Sequence, residues 1–254
     1  MAEALRYAIV GRGRWAGVMQ RILTGEGRGV SVVADARQRP GESDAEYMGR
    51  IAADLNFSGA QVAWLCLPPG PHIAFLLRAA LDVGVHVVVE KPWLCERDAT
   101  EALAERARSR GLVVGTHYEF CLLDGVAAWR RDFANGEGLE FGARFRTSKA
   151  ARRETAALDD LGSHLFSIRE YAAPRARVVE IECAYGATDE RRVWLTRGVE
   201  FVSAVDFTAN TEPIVQRFIG QFERAVTAGE NFPFGLEFAI RVADASREWS
   251  ARAR

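Results

Sequence analysis

Of the thirty-three basic residues in this 254-residue chain only Lys91 and Lys149 are lysines, and Lys91 stands in Glu90-Lys91-Pro92, where a long apolar run ends. An arginine guanidinium stays protonated in a protein, whereas a partly desolvated lysine titrates within working range. A site that needs a hydrogen-bonding cation able to give up its proton would therefore keep its lysine. The plain alternative is an arginine-rich codon bias that spared one lysine, and the residues around Lys91 weigh against it. A second chemical signature lies near the start of the chain. Gly11-Arg12-Gly13-Arg14-Trp15-Ala16 spells G-x-G-x-x-A directly after a short apolar run, and Asp35 closes the next such run.

Glycines at the first two positions permit a tight turn and close backbone approach, and Ala16 is small enough for a helix to pack on a strand. A helix starting near Trp15 would aim free N–H groups and the positive end of its dipole at a pyrophosphate. Asp35 has the spacing of a carboxylate that accepts hydrogen bonds from adenine-ribose hydroxyls and repels a 2'-phosphate, which favours NAD. Arg14, Arg37 and Arg39 keep NADP open, because any of them would neutralise that phosphate if Asp35 turned aside. Solvated loop charge is the plain reading of these arginines, of Arg39 above all.

Such residues need a scaffold, and the first half of the chain has the rhythm of one. Apolar runs at 7–10, 30–34, 62–67, 85–89 and 112–114 alternate with amphipathic, helix-length segments at 15–23, 45–55, 71–83 and 99–110. Short continuous β-branched runs separated by helices predict parallel strands covered on both faces, hence an α/β doubly wound sheet of the Rossmann type. The pattern changes after Thr116. A helix is expected over 122–133, then a turn at Asn135-Gly136-Glu137-Gly138, then an alternating strand over 139–147. Runs at 178–184, 192–196 and 200–206 predict an antiparallel meander, with helices over 160–171, 213–228 and 236–250. Clustered strands indicate a smaller α+β domain with a mainly antiparallel sheet. The expected division is 1–120 for a dinucleotide-binding domain and 121–254 for a substrate and dimerisation domain, whose last helix could pack back on the first.

A net charge of -1 with 26% charged residues gives no electrostatic footprint for nucleic acid or an anionic membrane, and small-molecule work is the default expectation. Four widely spaced cysteines, Cys66, Cys95, Cys121 and Cys183, follow neither a metal-ligand nor a disulfide pattern. With no signal-peptide pattern and no membrane-length apolar run, a cytoplasmic protein without a metal centre is expected.

Three blocks resemble the Gfo/Idh/MocA oxidoreductases, named for glucose-fructose oxidoreductase, inositol dehydrogenase and a rhizopine-catabolism protein. They are Ala8-Ile9-Val10-Gly11-Arg12-Gly13 with Asp35 downstream, the stretch from Val62 through Pro69, His72 and Val85-His86-Val87-Val88-Val89 into Glu90-Lys91-Pro92, and Asp160-Leu161-Gly162-Ser163-His164. The resemblance implies that Lys91, His164 and Asp160 are catalytic. His164 would take a hydroxyl proton as hydride leaves the same carbon, Lys91 would orient that hydroxyl and stabilise the developing oxyanion, and Asp160 would hold substrate or tune His164. Asp160 and His164, four apart, share a face if Asp160 opens a helix, although an N-cap alone would also explain Asp160. The resemblance further places Leu67, Pro68, Pro69 and His72 over the cofactor, with Gly11, Gly13, Arg14, Trp15, Ala16, Asp35, Arg37, Glu90 and Lys91. Helix capping or packing is enough to explain His72, and His86 reads as structural. His117 and Tyr118 follow the fifth strand, at the edge where such sheets bind ligands, and are candidate substrate contacts.

The second domain is shorter than in ordinary members, and residues 150–158 replace a glycine-rich run that often precedes D-x-G-x-H. Ordinary members pair through the open face of the second sheet, and Phe141, Phe145, Val193 and Phe201 are candidates for an apolar homodimer face, unless they only cover the domain's own helices. The expected function is NAD(P)-dependent hydride transfer between nicotinamide and an alcohol/carbonyl or amine/imine carbon of a small polar substrate such as a sugar. The alternative is a non-catalytic NAD(P)-binding sensor or partner subunit. A redox-neutral enzyme that uses bound NAD transiently shares the same signature.

Overall fold

The structure is a computed structural model that describes residues 4–33, 35–133, 136–151, 156–208 and 212–252. Asn135 of the expected turn and residues 152–155 of the stretch before Asp160 lie outside the described residues. The chain forms two compact units, Met1–His117 with Ile219–Glu237, and Tyr118–Phe218 with Phe238–Arg254. Each is described by itself below.

The first unit is built on β1 (Tyr7–Val10), β2 (Val30–Val33), β3 (Val62–Leu65), β4 (His86–Val89) and β5 (Val114–Thr116), all parallel in the order β2-β1-β3-β4-β5. Between them run α1 (Arg14–Gly25), α2 (Asp44–Ser58), α3 (His72–Asp82) and α4 (Arg97–Ser109). Strands β1 and β3 are buried at every position, as a sheet covered on both faces requires. The helices explain themselves locally. In α1, Ala16, Met19, Ile22 and Leu23 fall on one buried face, and α2 opens on a capping box in which Ser43 and Glu46 each satisfy the other's backbone N–H. The strand order reverses between β1 and β3, which opens a crevice at their carboxyl ends, the usual ligand position in such sheets.

The returning segment closes the β5 side of this unit. The Thr116 N–H donates to the Phe234 carbonyl at 2.7 Å, and Phe222 and Phe232 lie over Gly115 so closely that a Cβ there would sit 2.7 Å from the Phe232 ring. Glu223 provides the polar anchor. Its carboxylate accepts from Arg28 Nε at 2.7 Å, Arg28 Nη2 at 2.9 Å and the Tyr7 hydroxyl at 2.9 Å. Burial, with the Glu223 charge behind it, pushes the Tyr7 phenol well up. Glu223→Ala would leave the buried Tyr7 hydroxyl without its acceptor and take two hydrogen bonds from Arg28, which would keep its pair with Glu26. We expect a loss of about 2–4 kcal/mol of stability, read as a lower urea midpoint at unchanged slope. A loss below about 0.5 kcal/mol would mean that the aromatic contacts alone hold the segment.

The second unit carries β6 (Glu140–Thr147), β7 (Arg177–Tyr185), β8 (Glu190–Arg197) and β9 (Glu200–Asp206) in the order β7-β6-β8-β9. Around them are a short 3-10 turn at Glu119–Leu122, α5 (Asp124–Asp132), α6 (Ala157–Asp160) and α7 (Gly162–Ala172). Helix α8 (Glu212–Ala228) is divided between the units, and α9 (Leu236–Arg252) belongs to the second from Phe238 onward. The expected three-strand meander is corrected. Only β8 and β9 pair antiparallel as neighbours in sequence, whereas β7 pairs parallel with β6. The cause is the connection, because a strand returning to the same sheet through helices, here α6 and α7, arrives parallel. Two of the three strand pairs remain antiparallel.

The apolar homodimer face is also corrected. Phe141 and Phe145 of β6 and Val193 of the neighbouring β8 are buried, and α7 packs on β6. Of the four candidates Phe201 alone is exposed, at 58%. Residues of opposite parity form an ionic face instead. There Arg144 pairs with Glu180, Glu182 and Glu190, and Arg146 pairs with Glu182 and Glu190. Trp194 covers Gly142, where a Cβ would fall 2.2 Å from the indole. Among the described residues no helix is long and apolar enough to cross a membrane.

Candidate active site

The glycine loop sits at the strand-order reversal. Gly11 has φ of 120°, and a Cβ there would lie 2.6 Å from the Cys66 carbonyl oxygen and 3.1 Å from Leu67. That carbonyl cannot retreat easily, since the Cys66 N–H is tied to the Val10 oxygen at 2.9 Å. Gly13 precedes α1 in extended geometry, and a Cβ there would meet nothing within 4 Å. Arg14 is exposed, Trp15 half-buried and Ala16 buried. A bare backbone turn, an open side at Gly13 and the uncapped N–H groups of α1 are the features that suit a diphosphate.

Asp35 follows β2 and is exposed, with its carboxylate held by Arg39 through Nη2 at 2.6 Å and Nε at 3.1 Å. That hydrogen bond, more than any other contact, lowers the Asp35 pKa. Arg39 is therefore the partner of Asp35 rather than loose solvated charge. Arg50 braces the same loop, donating to the Asp35 carbonyl at 2.6 Å, the Arg37 carbonyl at 2.9 Å and the Glu42 carboxylate at 2.8 Å. On the other side of the crevice Leu67 and Pro69 are half-buried and Pro68 is exposed. His72 opens α3 with its ring bonded to the Pro68 carbonyl, and burial pushes its pKa down against that bond. His86 accepts the Val113 N–H at 3.0 Å, a structural link between the starts of β4 and β5.

Lys91 follows β4 on the same carboxyl edge, half-buried, and its bond to Pro92 is cis. Glu90 turns inward. Its Oε1 accepts from the Trp15 indole at 2.6 Å and the Trp64 indole at 2.8 Å, and His117 Nδ1 lies 3.1 Å away. Burial pushes the Glu90 carboxyl up, but the charge and hydrogen bond of His117, with the two indole donors, outweigh it and hold the group below the usual carboxylate range. His117 is 1% exposed, stacked on Trp15 at 5.8 Å and edge-on to Trp64 at 5.2 Å. Tyr118, the other candidate substrate contact, is equally buried, packed in its own unit against Phe238 at 5.6 Å, and burial pushes its phenol up.

In the second unit Asp160 is 2% exposed and accepts a hydrogen bond from the Tyr185 hydroxyl. It does not open a helix and is not an N-cap. It closes α6, whose N-cap is Ala156, and Leu161 stays in helical geometry so that α7 follows at once. His164 is buried against Phe120 at 4.5 Å and Phe145 at 5.7 Å. Burial, together with the Glu182 and Asp160 charges, pushes the nearby Cys183 thiol up to about 12. The sequence reading missed Tyr185 and Trp64. Tyr185 ends the strand that follows the Asp160–His164 helices, and Trp64 places an indole N–H inside a fully buried strand, which must find an acceptor. Among the described residues no group of His, Cys, Asp and Glu could hold a metal ion.

A parallel sheet with a glycine loop at its reversal point, joined in one chain to a second unit with a mixed sheet and with Asp160 and His164 on its helices α6 and α7, defines a two-part Rossmann-like fold. Solved structures similar to this chain include dehydrogenases of the Gfo/Idh/MocA type. GenD2 from gentamicin A biosynthesis, solved with NAD, is 18% identical with a TM-score of 0.73, over 97% of this chain and 93% of that one. The UDP-N-acetylglucosamine 3-dehydrogenase GnnA of Acidithiobacillus ferrooxidans is 14% identical with a TM-score of 0.75, over 97% and 96%. The WlbA dehydrogenase of Thermus thermophilus, solved with NAD and UDP-GlcNAcA, is 16% identical with a TM-score of 0.71, over 95% and 93%. In sequence, the uncharacterised oxidoreductase YfiI of Bacillus subtilis strain 168 is 23% identical over an alignment of 147 residues that covers 49% of this chain and only 37% of that protein's length. No family model matches the chain.

Proposed function

We propose that this chain is an NAD(P)-dependent oxidoreductase acting on a secondary alcohol or its ketone, or an amine or its imine, in a sugar-like substrate. The observation that carries the reading is the arrangement within the first unit, where the Gly11–Gly13 loop, Asp35 and Lys91 all follow strands at one carboxyl edge of the sheet. GenD2 and WlbA, which share the fold, were solved with NAD, and GnnA acts on a nucleotide sugar, which supports both the cofactor class and the substrate class.

Gly11, Gly13, Arg14, Trp15 and Ala16 would hold the diphosphate, Asp35 and Arg37 the adenine ribose, and Leu67, Pro68, Pro69 and His72 the far side. Bound nicotinamide supplies hydride exchange with a substrate carbon. Lys91 donates a hydrogen bond to the oxygen on that carbon and stabilises it as charge develops. His164 exchanges the hydroxyl proton, and Asp160, its geometry set by Tyr185, orients substrate. The assignment gives residues 1–120 the dinucleotide role and residues 121–254 the substrate role, in a cytoplasmic homodimer.

Separate titrations of NADH and NADPH, followed by energy transfer from tryptophan, test the reading. NADH should bind at least about threefold more tightly, since the Asp35 carboxylate opposes a 2'-phosphate. Binding of neither at millimolar concentration would overturn the proposal.

A further inference from the structure

Glu90 stands out as a largely buried carboxylate, its side chain 13% exposed, that the proposed chemistry leaves without a step. Placing a carboxylate away from water costs several kcal/mol unless good donors surround it. Here the donors come from three places in the first unit. Trp64 lies in β3, on one side of β4 in the sheet, and His117 follows β5, on the other side. Trp15 belongs to the first turn of α1, the helix launched by the glycine loop. One oxygen, Oε1, meets all three N–H groups, and His117 Nδ1 is also 3.4 Å from Oε2. His117 then stacks on the Trp15 ring itself, so the indole is gripped both at its N–H and on its face.

We propose that Glu90 and His117 are positioning residues which, by holding Trp15, fix the first turn of α1 and with it the backbone N–H groups that receive the diphosphate of the cofactor. This rests on the dinucleotide-binding reading above and replaces a direct cofactor contact for Glu90 with an indirect one. A carboxylate is required because its oxygens only accept, matching three converging donors. Glutamine would turn either a carbonyl of weaker pull or an N–H toward them. Trp15 is the element through which the effect reaches the loop, since its backbone lies two residues beyond Gly13.

The test is NADH and ADP-ribose binding to the full chain, by calorimetry, for wild type, Glu90→Gln, Trp15→Phe, the double variant, His117→Leu and His117→Asn. Glu90→Gln and Trp15→Phe should each weaken both ligands about 10-fold or more, and the double variant should be within about twofold of the weaker single variant, because both cut one linkage. His117→Leu should weaken binding about 10-fold, whereas His117→Asn, whose amide N–H can replace Nδ1–H, should return to within about twofold of wild type. Thermal midpoints identify any variant that fails to fold, and the His117 pair then carries the comparison. Wild type that binds neither ligand would sink the dinucleotide reading itself. Wild type that binds, with single variants unchanged, with losses that simply multiply in the double variant, or with Asn no better than Leu, would overturn the positioning role alone.

Discussion

Replacing Lys91 with methionine should abolish turnover while leaving the cofactor bound. The two side chains have similar length, so the change removes the ammonium and little else. Lys91 is proposed to touch the substrate oxygen, and a group that acts on charge developing in the transition state lowers the rate far more than it weakens ground-state binding. The expected loss is on the order of 10²–10⁴ in kcat, the range for one positioned proton donor or oxyanion partner. NADH affinity should change by less than about threefold, because the proposed diphosphate and ribose contacts lie elsewhere on the sheet edge. The measurement is NADH oxidation or NAD reduction with nucleotide-sugar and polyol substrates, beside a NADH titration of the same preparation. Turnover equal to wild type would remove Lys91 from the reaction.

The second large effect is a contrast between two glycines of one loop. Gly11→Ala would impose both a φ of 120°, which alanine does not adopt, and a Cβ 2.6 Å from the Cys66 carbonyl oxygen. Backbone strain of about 1–3 kcal/mol and overpacking of about 1–3 kcal/mol add to a loss of about 2–6 kcal/mol, with dinucleotide binding lost as well. Gly13→Ala differs in kind. Its φ of -72° suits alanine, and the new methyl meets nothing within 4 Å. The fold should hold to within about 0.5 kcal/mol, while NADH affinity falls about 10-fold if a diphosphate approaches that backbone closely. Urea midpoints and NADH titrations on both variants separate the two causes. A Gly13→Ala protein that binds NADH as wild type does would move the diphosphate away from this turn.

Strands β2 and β5, interrupted by Ser31 and Gly115, follow from the strand–helix rhythm, and β1, β3 and β4 were legible because a strand buried on both faces writes itself as a near-continuous apolar run, while the helices between them carry one-sided patterns. The place of β7 was not. Alternating runs at 178–184, 192–196 and 200–206 describe half-buried strands but not their partners, and the helices carrying Asp160 and His164, which force β7 parallel to β6, were read for chemistry rather than for topology. Similarly, parity along β6 and β8 could have sorted Phe141, Phe145 and Val193 from Arg144 and Arg146, but which face is covered depends on where α7 lies. The Glu90 cluster was invisible for another reason. Trp15, Trp64 and His117 are far apart in sequence, and only the sheet order brings them to one carboxylate.

The return of residues 219–237 to the first unit also bears on how the protein is made. A ribosome releases the first five strands long before Phe222, Phe232 and Phe234 exist, so a nascent chain halted anywhere before residue 234 presents β5 as a bare margin. Such a margin, with unpaired backbone groups and a glycine awaiting its aromatic cover, invites pairing with another chain. Fragments ending near residue 117 should consequently precipitate or recruit chaperones, and the first unit is finished only after residues 219–237 have been translated.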